Sequence, residues 1–390
     1  MSVILWILAA LAAISLSGWV FRLAGQKITG NSPRFRDMPF AVAFGYALAA
    51  AAVLGGVWLW FQPGATFFRW AVQGFVIFAI AAWLFRLLGR AVGTAGTRKL
   101  FRQMPLTASF GILVILIYAV LSIFAGVIAP YGQAEVFDQV NALPGGNAAT
   151  GGNPDHLLGT DQIGRDLLSR LIYGAQNTVG IAFVTTCIAF FLGGSLGFLA
   201  ATLQGWLDQV LSRAVDVLMA IPSLIFALLL MTIASAWAGS EKWLLTVYMV
   251  LIIAVIDSTR VFRLARAVGL NIVVMDYIEA AKLRGEGLRY LIFKEILPNA
   301  YAPLLAEFGL RFCFVFLTIA SLSFLGVGIQ PPLADWGTMV RDLAQFINFA
   351  AFSPLTAALP LMAAGAIALL TVAVNFVVDW MLHRTSGLKD

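Results

Sequence analysis

LTASFGILVILIYAVLSIFAGVIA, residues 106–129, carries no charged side chain and no proline. As a helix this run is roughly 36 Å long, enough to cross a hydrocarbon core of about 30 Å. A barrel strand would alternate apolar and polar residues over about ten positions, and this run does not. It reads as a transmembrane helix. Eight further stretches read the same way, near 2–25, 39–61, 69–88, 178–203, 217–238, 243–261, 302–326 and 354–382. The whole chain is 61% hydrophobic and 11% charged, against about a quarter charged in soluble domains. Its mean hydropathy is +0.91. The fold class expected is an all-α integral membrane protein.

Lys and Arg set the expected orientation. Arg22, Lys27, Arg34 and Arg36 follow the first stretch, and Arg86, Arg90, Arg98, Lys99 and Arg102 follow the third. Arg263, Arg266, Lys282, Arg284, Arg289 and Lys294 follow the seventh, with Arg384 and Lys389 in the tail. Placing all of these in the cytoplasm satisfies the positive-inside rule, with the N-terminus outside and the C-terminus inside. The first stretch lacks a basic n-region and is too long for an h-region, so a reverse-oriented anchor is favoured over a cleaved signal peptide.

The net charge of +6 does not point to nucleic acid. The cations cluster at span ends rather than in an aromatic-interleaved patch, as topology signals and contacts with anionic lipid require. Cys187 and Cys313 lie in apolar runs, and His156 and His383 are far apart, so no metal or redox motif is expected.

The cytoplasmic loop 262–300 contains Asp276-Tyr277-Ile278-Glu279-Ala280-Ala281-Lys282-Leu283-Arg284-Gly285 and then Ile296-Leu297-Pro298. Residues 273–284 read as a short helix ended by Gly285 in the left-handed cap conformation. A second helix, about 290–297, runs up to Pro298 at the entry to the next span. Ala280 and Ala281 give the first helix a flat face that a partner can approach. The plain alternative is a helical hairpin lying on the membrane surface.

Residues 156–174 form the second informative segment. Ile163, Leu167, Leu168, Leu171 and Ile172 fall on one helical face, with Arg165, Asp166, Ser169 and Arg170 opposite. Asp166 and Arg170 are spaced for an i,i+4 pair, Asp161 for a start cap and Gly174 for an end cap. An interfacial helix leading into the fifth span satisfies the same geometry.

The first loop resembles the EAA loop of ABC importer permeases, in Tyr277, Glu279, Ala280, Ala281, Gly285, Leu297 and Pro298. Where the family usually has an aliphatic residue two positions before Leu-Pro, this chain has Glu295, followed by Ile296. Gly159-Thr160-Asp161, Gly164-Arg165-Asp166 and Ser169-Arg170 resemble the second-type (C-type) permease subunit of dipeptide, oligopeptide and nickel importers. So do Ser323-Phe324-Leu325-Gly326-Val327-Gly328, Gln330-Pro331-Pro332 and Trp336-Gly337. The resemblance runs from about residue 105 to the C-terminus. It implies a six-helix permease core at 105–390, preceded by a three-helix membrane extension at 1–104.

It further implies a place in a bacterial cytoplasmic (inner) membrane, with loop 262–300 as the coupling element and 156–174 on the external side. The partners implied are a homologous second permease, two ATPase subunits or one fused ATPase, and an external solute-binding protein. No Walker A pattern occurs in the chain. ATP and Mg are therefore expected on partner chains, with no cofactor, metal or catalytic residue here. The main rival is an ion-coupled transporter. Such a protein needs carboxylates near the membrane midplane, whereas Asp257, Glu307, Arg311 and Asp379 fall nearer the cytoplasmic span ends. Glu307 and Arg311 are spaced to pair. A membrane enzyme would need a catalytic constellation, and none is visible in the spans.

Overall fold

The computed structural model describes residues 19–20, 22–27, 38–62, 65–239, 241–351 and 353–385. Of the predicted first span at 2–25 only residues 19–20 and 22–25 are among them, and Arg34, Arg36 and Lys389 lie outside. The helices are α1 Phe40–Trp60, α2 Thr66–Ala91, α3 Ala95–Gln103 and α4 Leu106–Ile128. Next come α5 Leu167–Leu203, α6 Gly205–Met219 and α7 Ser223–Ala238, then α8 Lys242–Val273 and α9 Asp276–Leu283. The chain continues with α10 Leu288–Phe324, α11 Trp336–Leu343 and α12 Pro354–Thr385. Among the described residues 7 helices are long and apolar enough to cross a membrane, and α6 with α7 is a bent pair that brings the number to 8.

That bend corrects the expected continuous span at 217–238. α6 and α7 meet at 88°. Pro222 sits just before α7 with φ −55° and ψ 121°, and a proline both removes an N–H and disfavours helical geometry in the residue ahead of it.

Two compact units divide the chain, Met1–Val76 and Ile77–Asp390. In the first, α1 exposes Val53, Leu54 and Trp58, as a lipid-facing helix does. In the second, α5 and α8 form the closest seam. A Cβ on Gly197 would stand 2.7 Å from the Phe262 carbonyl, and one on Gly269 would stand 2.8 Å from Ala201 Cβ. Gly193, Gly197 and Ala201 recur every fourth residue, the spacing that lets membrane helices approach backbone to backbone. α4 runs antiparallel to α12, with Phe110 against Phe376 at 6.1 Å and Tyr118 Oη donating to the Ala366 carbonyl at 2.8 Å. α10 packs on α12 through Gly309 against Val374, and its Cys313 thiol approaches the Thr371 carbonyl at 3.9 Å. The beginnings of α4 and α10 and the end of α12 therefore share one end of the bundle.

Candidate functional site

α9 has two unlike faces. Ile278 and Ala281 are fully buried against a cluster of Phe198, Ala265, Ile272, Leu291, Ile296 and Ala300, drawn from α5, α8 and α10. Tyr277, Glu279, Ala280 and Leu283 are exposed, Leu283 at 83%. The flat alanine face expected from the sequence is thus divided, with Ala280 outward and Ala281 inward. Gly285 ends the helix at φ +80°. Its N–H donates to the Lys282 carbonyl at 2.9 Å and the Glu286 N–H to the Ala281 carbonyl at 3.1 Å, the paired bonds of a Schellman cap.

α10 starts earlier than expected and passes through a π-turn, Leu291–Ile296. Pro298 lies at the beginning of the α-helical segment that follows. A proline there has no N–H to give and would crowd the carbonyl four residues back, and the wider π geometry absorbs both demands. The same turn accounts for Glu295. Leu291 and Ile296 are the buried pair, while Glu295 is only partly covered. The aliphatic contact has moved one position along.

Residues 156–174 depart from their predicted form. Helix begins only at Leu167, with Asp166 as its cap accepting from the Ser169 N–H at 2.7 Å. Asp161 instead holds the preceding turn, accepting from the Ile163 and Arg165 N–H groups at 3.0 Å each and from Arg165 Nε at 2.7 Å. Arg170 turns to Asp161 at 3.8 Å and to the Gln133 carbonyl at 3.3 Å, not to Asp166. Ile163 lies outside the helix and is exposed. Gly174 does not cap. It has helical φ −57°, and the chain continues through a π-turn at Ala175–Val179. Its missing side chain is filled by the Trp336 ring, whose Cγ would lie 3.2 Å from a Cβ there.

Thr160, Asp161, Asp166, Ser169 and Arg170 are buried, as are Gly159 and Gly164. Gly159 and Gly164 take φ +79° and +86° with the Ala142 and Phe137 carbonyls against them. Thr160 Oγ1 accepts from the Ala142 N–H at 2.9 Å and donates to the Gln139 carbonyl at 2.8 Å. Ser169 Oγ accepts from the Tyr131 N–H at 3.1 Å. The motif fastens the loop 129–166 onto α5. Sequence reasoning missed its non-local members. His156 Nδ1 lies 3.0 Å from Asp166. Gln133 Oε1 accepts from Asn177 Nδ2 at 2.8 Å and the Ala334 N–H at 3.0 Å. Trp336 Nε1 donates to the Leu171 carbonyl at 2.9 Å. No spacing rule announces these partners.

Within the spans, Arg311 pairs with Glu307 at 2.7 Å, as the spacing anticipates, and also with Asp257 of α8 at 3.6 Å. Arg260 lies 3.6 Å from the same carboxylate, and the Arg311 guanidinium stands 4.6 Å from the Phe314 ring centroid. Asp257 and Arg260 border a cavity of about 140 Å³ that Ser223 and Thr318 also line. Both carboxylates are thus engaged by arginine, unlike a free ion-coupling group. Among the described residues no group of three or more His, Cys, Asp and Glu gathers as a metal site would.

The family model described as "Binding-protein-dependent transport system inner membrane component" matches residues 193–386. The dipeptide transport system permease protein DppC of Haemophilus influenzae is 36% identical over 243 residues, 62% of this chain and 79% of the relative. This chain is a permease subunit of that ABC importer family. The glutathione transport system permease protein GsiD of Pectobacterium atrosepticum is 30% identical over 245 residues, 63% of this chain and 76% of the relative. The peptide transport system permease protein SapC of Escherichia coli is 35% identical over 242 residues, 62% and 78% respectively. The permease therefore belongs to the dipeptide and oligopeptide branch as a C-type subunit. The stretch that the family model matches includes the whole Glu279 loop.

Proposed function

We propose that this permease forms half of a pathway for di- or oligopeptides across a bacterial cytoplasmic membrane, driven through α9 by ATPases on other chains. The observation that carries the reading is the two-sided build of α9. Its inner face is locked into α5, α8 and α10, and its outer face leaves Tyr277, Ala280 and Leu283 uncovered. A push on that outer face moves the start of α10 as a body, since buried contacts transmit displacement with little give. Nucleotide can drive two states only if it binds one better than the other, and α9 is the link by which the permease feels that difference.

The homologous second permease and an external binding protein complete the assembly. The relatives named for dipeptide, peptide and glutathione transport support peptides as the cargo class. The basic residues around α9 and at the end of α12 support a cytoplasmic placement of that end, with the N-terminus outside. On this reading residues 1–104 are an added membrane extension and 105–390 the transport core, and 156–174 belongs to the external mouth.

The test is reconstitution with the ATPase and binding-protein partners. Glu279→Lys and Gly285→Pro are expected to leave the protein inserted while ATP hydrolysis no longer drives uptake of a labelled dipeptide. Normal uptake by both variants overturns the coupling role.

A further inference from the structure

We infer a binding site for the phosphate headgroup of an anionic phospholipid where α2 and α3 meet the end of α12. A cavity of about 710 Å³ opens there, lined by Arg86, Gln103, Thr107, Trp380, His383 and Arg384, with Asp379 as its acidic member. The cations are held in place. Arg86 Nε and Nη2 donate to the Phe101 and Arg102 carbonyls at 3.3 and 3.4 Å, and Arg90 Nε donates to Phe101 at 3.4 Å. These bonds satisfy the carbonyl end of α3 and pin it beside the cavity mouth. Arg384 lies 5.8 Å from the Trp380 ring centroid.

The surroundings place the ligand at a lipid–water boundary. α3 is amphipathic, with Leu100 and Phe101 half-buried and Arg98, Lys99, Arg102 and Gln103 exposed, the pattern of a helix lying in the membrane interface. Phe376 and Trp380 line the cavity's apolar side on α12. Tryptophan concentrates at headgroup depth, and basic pockets between transmembrane helices take phospholipid headgroups. Antiparallel packing of α4 and α10 on α12 puts this site at the same end of the bundle as α9. It joins residues on both sides of position 105, so a lipid seated there ties the extra helices to the shared core. The site does not depend on the transport reading.

The experiment is native mass spectrometry of the full chain, purified in mild detergent and titrated with phosphatidylglycerol, with phosphatidylcholine, or with glycerol 1-phosphate as the soluble source of the same phosphate. The expected result is retention of phosphatidylglycerol over phosphatidylcholine, weakened about fivefold by each cation removed. Arg384→Gln is the primary variant, because Arg384 lines the cavity and its side chain is not among those that hold a backbone carbonyl of α3. Arg86→Gln, which also loosens α3, comes second. Equal retention of the two lipids, unchanged phosphatidylglycerol binding in Arg384→Gln, or displacement of the lipid by glycerol 1-phosphate at equal concentration overturns the proposal.

Discussion

Asp257 of α8 and Arg311 of α10 meet at 3.6 Å inside the helix bundle, and Glu307 holds the same guanidinium from one turn away at 2.7 Å. The cluster joins two spans through charge rather than through apolar packing alone. Removing one partner of a buried pair leaves an uncompensated charge, which costs about 3–5 kcal/mol, whereas neutralising the pair costs far less. Arg311→Gln and Asp257→Asn are each expected to lower the thermal unfolding midpoint in detergent, the first strongly, and the double variant to lose less than the sum of the two. Additive single and double effects contradict the pairing.

At Gly285 a Cβ would meet nothing within 4 Å, so only the φ of +80° demands glycine. Gly285→Ala is expected to cost about 1–2 kcal/mol of local stability, and Gly285→Asn less, because asparagine tolerates the left-handed region. Hydrogen exchange at the Gly285 and Glu286 amides reads this directly. Protection equal to wild type in the alanine variant refutes it.

Neighbouring glycines on α5 differ in what they allow. A Cβ at Gly197 would press on the Phe262 carbonyl and Ala265, while at Gly194 it would touch nothing within 4 Å. Gly197→Ala is expected to separate α5 from α8 and lower the yield of monodisperse protein. Gly194→Ala is expected to be neutral or to stabilise by up to about 1 kcal/mol through helix propensity. Size-exclusion profiles of the two variants decide the matter, and matching profiles count against the seam.

Asp335 caps α11, accepting from the Thr338 N–H at 3.1 Å and Thr338 Oγ1 at 2.5 Å. Burial pushes its carboxyl above the usual range, although hydrogen bonds led by those from Thr338 pull the other way. The folded state then holds a proton that the unfolded chain has already lost. This contribution is full below the ordinary carboxylate value and fades as pH rises through the raised one. Asp335→Asn keeps an effective cap and is expected to flatten the pH dependence of the unfolding midpoint across that window while raising the midpoint at neutral pH. An unchanged pH profile speaks against the buried charge.

The legible parts of this chain were those whose cause is local. Apolar length announced the spans, and eight of the nine stretches correspond to helices among the described residues, the sixth of them bent. Glu279, Ala280, Gly285 and Pro298 announced a capped helix and a re-entry, because a cap and a proline act through their own backbone. Residues 156–174 misled for the opposite reason. Helical periodicity placed Ser169 and Arg170 on a polar face, but the loop 129–166 folds over them and buries both.

What the sequence by itself determined was the solvent and the local backbone. So many apolar residues in such long runs have no stable home but lipid, and the only open-ended structure lipid permits is the helix, which satisfies its own N–H and C=O groups. Only the tertiary structure decided which partner each buried polar group takes. Gln133 bridges to Asn177 and Ala334, His156 sits beside Asp166, and Arg311 links α8 to α10. Those pairings depend on segments distant in the chain arriving together, and neither propensity nor periodicity carries information about that meeting.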